Sequence, residues 1–188
     1  MIAYLHGFNS SPRSHKAQVL GAYLAARGRA HDYACPALPP LGNQAISAVE
    51  SLMAAHAPGT RWCFVGSSLG GFYATYLAEA YGARAVLLNP AIHPHVGLRA
   101  YLGEQRNLHT GEPYELTEAH LDAWRALDVT RLHPERYLLI VETGDEVLDY
   151  RRALERYRGA EQIVIEGGDH SLRSFERHLP RILGFADR

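Results

Sequence analysis

The run Arg61-Trp62-Cys63-Phe64-Val65 followed by Gly66-Ser67-Ser68-Leu69-Gly70 constrains this chain more than any other segment. Its first part is a short apolar stretch of the kind that forms a buried strand. After Gly70 comes Gly71-Phe72-Tyr73-Ala74-Thr75-Tyr76-Leu77-Ala78, which has the spacing of an amphipathic helix. Glycines on both sides of Ser68 suit a turn too tight for bulky neighbours. A G-x-S-x-G sequence on such a strand-to-helix turn lifts the serine hydroxyl above the sheet edge. It also aims the next amide, that of Leu69, at the same space.

The rest of the chain alternates in the same way. Strands are predicted at Ile2–Leu5, His31–Cys35, Arg61–Val65, Ala85–Leu88, Tyr137–Thr143 and Gln162–Ile165. Ser11-Pro12 reads as the start of a helix that runs to about Arg27 and stops at Gly28. Further helices are predicted over Ala45–Ala57, after Gly70, and over Ser171–Phe185. Apolar strands alternating with helices specify an α/β fold, a mostly parallel sheet of about six strands with helices on both faces. At 188 residues the chain is long enough for one domain, 1–188, with a full core. Nearly fifty residues separate the strands at 85–88 and 137–143, too many for a plain connection. This insertion, at about 91–134, holds a predicted helix at Thr117–Leu127 and the aromatics Tyr101, Tyr114 and Trp124. It is expected to lie over the carboxyl edge of the sheet as a lid-like segment, with its tip at Asn107–Gly111 shaping a pocket.

Composition excludes several classes. The net charge is −1, with both signs mixed along the chain, so neither nucleic acid nor an anionic membrane is an expected partner. No run has the length of a membrane span, and Met1-Ile2-Ala3-Tyr4-Leu5-His6 does not begin a signal peptide, which points to a cytoplasmic location. Cys35 and Cys63 sit in apolar surroundings and read as free thiols. Among eleven histidines, His93-Pro94-His95 is the closest pair, but no H-E-x-x-H or paired C-x-x-C accompanies it, so no metal is expected.

A serine hydroxyl at the elbow needs a base, and the base needs an orienting acid. In chains with this elbow the order is serine, acid, histidine. The strand Tyr137–Thr143 ends in Gly144-Asp145-Glu146-Val147, and the strand Gln162–Ile165 ends in Glu166-Gly167-Gly168-Asp169-His170. Asp145 and His170 thus follow the carboxyl ends of strands, where α/β sheets hold their ligands. Of the other histidines, His93, His95, His109, His120 and His133 belong to the insertion, and His178 to the last helix. Glu142, Glu146, Asp149 and Asp169 compete with Asp145 for the acid. A second oxyanion donor is expected from His6-Gly7-Phe8-Asn9-Ser10-Ser11, with the Phe8 amide chosen and Asn9 in reserve. His6 reads as a structural histidine of that loop.

With His6-Gly7-Phe8-Asn9-Ser10-Ser11-Pro12, Gly66-Ser67-Ser68-Leu69-Gly70-Gly71, Asn89-Pro90-Ala91, Tyr101-Leu102-Gly103, Thr110-Gly111, Thr143–Tyr150 and Glu166–His170 in view, the chain resembles the YqiA-type esterases, small bacterial α/β-hydrolases. The resemblance covers nearly the whole chain. It implies a minimal α/β-hydrolase fold and a cytoplasmic serine esterase. The implied substrates are small acyl esters, or acyl-CoA thioesters on the same triad, with no cofactor. Carried over by motif, the triad is Ser68, Asp145 and His170. Asp169 departs from the asparagine expected in relatives. The rival outside enzymology is a binding protein that keeps the fold without turnover. No oligomeric state is read from the sequence.

Overall fold

The computed structural model describes residues 1–188. In chain order its first half comprises β1 (Ile2–Leu5), α1 (His15–Ala25), β2 (Tyr33–Ala34), α2 (Gly42–Ala54), β3 (Cys63–Ser67), α3 (Leu69–Tyr81) and β4 (Arg84–Leu88). The second half comprises α4 (Pro94–Gly97), β5 (Gly103–Arg106), β6 (Pro113–Leu116), α5 (Glu118–Ala126), β7 (Tyr137–Glu142), α6 (Tyr150–Arg156), β8 (Glu161–Ile165) and α7 (Leu179–Ala186). Six strands form one sheet in the order β2-β1-β3-β4-β7-β8, and every pairing in it is parallel. The fold class read from the alternating pattern is therefore the one observed.

The strand sequences explain the two layers. Successive side chains on a strand point to opposite faces. On β7, Tyr137, Leu139 and Val141 join one core with residues of α2, α3, α5 and α6. Leu138 and Ile140 join the other, with residues of α1 and α7. Strands buried on both faces are continuous apolar runs, which is how β3, β4 and β7 read. The register sets Leu5 beside Gly66 and Ser67 beside Leu88. The loops after β1, β3 and β4 consequently leave the sheet at one level.

Several elements differ from the sequence reading, each for a local reason. Ser11 caps a turn, its Oγ accepting the Arg13 amide, and α1 starts one turn later with Ser14 as N-cap. Residues 30–32 form a short 3-10 turn, so β2 keeps two residues. The long helix expected over Ser171–Phe185 is a 3-10 turn at Phe175–His178 followed by α7. Proline has no amide to donate, and Pro180 falls in the first turn of α7, where helices tolerate it. The helix α6 and the hairpin β5–β6 were not anticipated. Within the insertion, Leu116, Leu121 and Trp124 are buried in the main core, and Trp124 Nε1 donates to Tyr73 Oη at 2.7 Å. A buried aromatic of this size contributes on the order of 3 kcal/mol, which fixes this part of the insertion to the domain.

Candidate active site

Ser68 stands between β3 and α3 with φ 54° and ψ −121°. A non-glycine residue in this region carries about 1–3 kcal/mol of strain and persists only if its surroundings fix it. Here its amide donates to Leu88 O at 3.0 Å, and its carbonyl accepts from Gly71 N at 2.9 Å and Ala91 N at 3.0 Å. The flanking glycines are required by contact. A Cβ on Gly66 would strike the Gly70 carbonyl, and one on Gly70 would strike the Leu5 carbonyl. The helix α3 must pass this close to β1 and β3 for the serine to face outward.

His170 follows β8, and its Nε2 lies 3.1 Å from Ser68 Oγ. Its Nδ1 lies 3.0 and 2.9 Å from the two carboxylate oxygens of Asp145. The Asp145 side chain is 1% exposed. Burial pushes its pKa up, but the His170 ring and the Leu148 and Val147 amides outweigh that and hold it below the ordinary range. Asp145 is thus a carboxylate oriented on Nδ1. A carboxylate so placed favours the Nδ1–H tautomer, with Nε2 facing Ser68 Oγ. Of the competing acids, Asp149 caps α6 by accepting the Arg151 amide, and Glu146 accepts the His170 amide at 2.9 Å. The Asp169 carboxylate turns to Ser171 and pairs with Arg173.

The Phe8 amide donates to no backbone or side-chain group, and Leu69 is the first residue of α3, whose N–H has no intrahelical acceptor. Gly7 permits the approach of the two loops, since a Cβ there would sit 3.3 Å from Ser67 O and Ser68 Cβ. His6 is buried, with Nε2 accepting the Leu38 amide at 3.1 Å and Nδ1 facing Gly7 O at 3.2 Å. Burial lowers its pKa, so it is a neutral structural group. Three histidines of the insertion are held elsewhere. His93 pairs with Asp128, His133 with Glu79, and His120 closes the N-terminal cap of α5. No group of three or more metal-ligating side chains is assembled.

Ser68 and His170 open into a cleft of about 930 Å³. Phe8, Leu69, Ile92, Leu98, Tyr101 and Leu108 give it an apolar wall, and the last four come from the insertion. Such a site suits a ligand with an apolar portion beside a reactive polar centre.

The family model described as "Uncharacterised protein family (UPF0227)" matches residues 1–187. The chain belongs to this family. It is the YqiA-like family that the sequence motifs resemble. A UPF0227 protein of Serratia proteamaculans (strain 568) is 27% identical over 191 residues, covering 98% of each chain. A putative hydrolase from Agrobacterium vitis S4 superposes with a TM-score of 0.71 at 18% identity, over 98% of this chain and 87% of that one. The methylesterase protein MES16 from Arabidopsis gives 0.65 at 16% identity, over 98% of both chains. At these identities the likeness is one of fold, and this UPF0227 chain has the α/β-hydrolase fold.

Two residues beneath the site have a supporting role that the sequence does not show. Glu142, named there only as a competitor of Asp145, is 1% exposed. Its Oε2 accepts the amides of Asp169 at 2.8 Å and Arg173 at 3.1 Å, and its Oε1 accepts that of Ser174 at 2.8 Å. Asn89, at the end of β4 with φ 41°, accepts the Glu142 amide and donates to the carbonyls of Asp169 and His170. Together they hold the loop that carries His170. Burial raises the Glu142 pKa, but the amides of Asp169, Ser174 and Arg173 outweigh it, so the net shift is downward. A lowered carboxyl pKa contributes stability that is full above the unfolded value of about 4 and is lost as pH falls through the folded value. The Glu142 contribution, read as the difference in urea midpoint between wild type and Glu142→Gln, should therefore be level from about pH 7 to 5 and shrink below about pH 4. Glu142→Gln turns an amide donor toward amide donors and should cost roughly 2 kcal/mol at neutral pH, with a shallower loss on acidification. A Glu142→Gln midpoint equal to wild type at pH 7 would refute this.

Proposed function

We propose that this protein is a serine esterase. The observation that carries the reading is the unbroken hydrogen-bonded line from Asp145 through His170 to Ser68, opening beside two amides without acceptors. In this reading Ser68 Oγ attacks an acyl carbonyl while His170 Nε2 takes its proton. The carbonyl oxygen becomes an oxyanion between the Leu69 and Phe8 amides. The bond to the leaving alcohol then breaks, and that alcohol takes the proton from His170. Water, deprotonated by His170, releases the acid from the acyl-enzyme and restores Ser68. Asp145 keeps the imidazole in its tautomer and stabilises the imidazolium. The apolar wall of Phe8, Ile92, Leu98 and Tyr101 supports an acyl group as the apolar part of the substrate.

The test is labelling by a fluorophosphonate together with hydrolysis of a panel of p-nitrophenyl esters, thioesters and peptides. The expected result is stoichiometric labelling at Ser68 and turnover of esters over peptides. A folded wild-type protein that neither takes the label nor hydrolyses any ester would leave the binding-protein reading standing.

A further inference from the structure

The hairpin β5–β6 is gripped by the loop that carries the Phe8 amide. Gln105 and Tyr114 are paired across the hairpin, and both face inward. Asn9, the residue after Phe8, sits between them. Its Nδ2 donates to Gln105 Oε1 at 3.1 Å, and its Oδ1 accepts from Tyr114 Oη at 2.6 Å. The orientation of both amides follows from one fixed point. Gln105 Nε2 donates to the Tyr101 carbonyl at 2.7 Å, which leaves Oε1 for Asn9, which in turn leaves Asn9 Oδ1 for the tyrosine. The backbone joins in. Leu108 N donates to Asn9 O at 2.8 Å, Asn107 Nδ2 to Ser10 O at 2.7 Å, and Arg13 Nη2 to His109 O at 2.8 Å.

Asn9 has φ 53°, a left-handed conformation that asparagine tolerates better than most residues but does not favour. The peptide before it carries the Asn9 amide, and the one before that carries the Phe8 N–H. A rotation at Asn9 therefore re-aims the Phe8 segment. The Phe8 ring is held from the same side, edge-on to Tyr101 at 6.1 Å and to Trp124 at 6.4 Å between ring centroids. Every one of these restraints comes from the insertion, about a hundred positions along the chain.

We infer that Gln105 and Tyr114 are positioning residues for the oxyanion hole, acting through Asn9, and that the insertion serves as the scaffold of that hole as well as a wall of the cleft. The inference rests on the esterase reading above. It has a consequence for the hairpin tip. Asn107 and Leu108 bond the oxyanion loop and His109 bonds Arg13 just after it, so a deletion across 107–111 removes supports of that loop along with part of the cleft wall.

The experiment compares wild type, Tyr114→Phe, the double variant Gln105→Ala/Tyr114→Phe, and Glu104→Gln on the outer face of the hairpin as control. Three quantities are read: kcat and KM for a short p-nitrophenyl ester, and Ki for a trifluoromethyl ketone, whose hemiketal places an oxyanion in the hole. Outright loss of an oxyanion donor costs about 10²–10³ in kcat. A misplaced donor should cost less. The double variant is expected to lose roughly 10- to 100-fold in kcat, with Ki raised by a similar factor and KM little changed, and Tyr114→Phe to fall between it and wild type. Glu104→Gln should match wild type. Hydrogen exchange of the peptide spanning residues 6–12 should quicken in the double variant.

Wild-type kcat and Ki in a folded double variant would overturn the inference. So would a loss confined to KM or to thermal stability with kcat per titrated serine unchanged. A wild-type protein with no ester hydrolysis and no fluorophosphonate labelling would overturn the esterase reading, and the oxyanion role with it. Active wild type with indifferent variants would remove the positioning role alone.

Discussion

Ser68→Ala should abolish fluorophosphonate labelling and lower kcat for ester hydrolysis by about 10⁴- to 10⁶-fold, with the fold unchanged. The size of the effect follows from the lack of a substitute. Ser67 is on β3 and 7% exposed, so it does not share the outward turn of Ser68. The stability side follows from the backbone. The side-chain hydrogen bond of Ser68 Oγ is the one to His170, and alanine meets the same φ of 54° that serine does. Ser68→Ala should therefore unfold within roughly 1 kcal/mol of wild type. Ser68→Gly gives the contrast that exposes the strain. It should be equally inactive yet more stable, because glycine adopts a positive φ freely. Ser67→Ala should keep most activity. The check is labelling, kcat and urea midpoint on all three variants. An inactive Ser67→Ala beside an active Ser68→Ala would reverse the elbow assignment.

How much of this site was legible in the sequence depends on whether geometry forced the residue type. The elbow was legible because Gly66 and Gly70 leave no room for another residue against Gly70 O and Leu5 O. The segments that carry Asp145 and His170 were legible because each follows an apolar strand and carries glycines that let two loops cross. Gly144 packs against the Gly167–Gly168 backbone, and a side chain on Gly168 would collide with Glu142. The supports were not legible. Glu142 ends a strand like any other carboxylate, and its three amide partners lie some thirty residues further on. Asn89 was part of a quoted motif, but nothing local shows that its amide reaches the His170 carbonyl. The hairpin was missed because Gly103-Glu104-Gln105-Arg106 has no apolar stripe. On β6 the inward Leu116 does reach the core, but the inward residue of β5, Gln105, is polar, and it and Tyr114 bond Asn9 of the first loop.

Asp145→Asn should lose about 10²- to 10⁴-fold in kcat/KM while remaining folded. The hydrogen bonds around this side chain explain why one atom matters so much. Oδ1 accepts the Val147 amide at 2.9 Å and the Leu148 amide at 2.8 Å, and both oxygens face His170 Nδ1. An asparagine must place its single carbonyl oxygen somewhere. If it serves the two amides, its NH2 is presented to His170 Nδ1. The imidazole then accepts at Nδ1, carries its proton on Nε2, and cannot take the proton of Ser68. If the amide flips, its NH2 faces two backbone donors in a buried place, at a cost of about 1–3 kcal/mol. The first arrangement is the cheaper, so the wrong tautomer dominates and the fold survives. Two nearby carboxylates serve as comparisons. Glu146→Gln keeps an oxygen able to accept the His170 amide, and Asp149→Asn keeps an N-cap acceptor for Arg151. Both should stay within a few-fold of wild type, and kcat/KM with circular dichroism on the three variants decides the matter. If Asp145→Asn retains near-wild-type turnover and either comparison variant loses it, the orienting acid lies elsewhere on the β7–α6 loop.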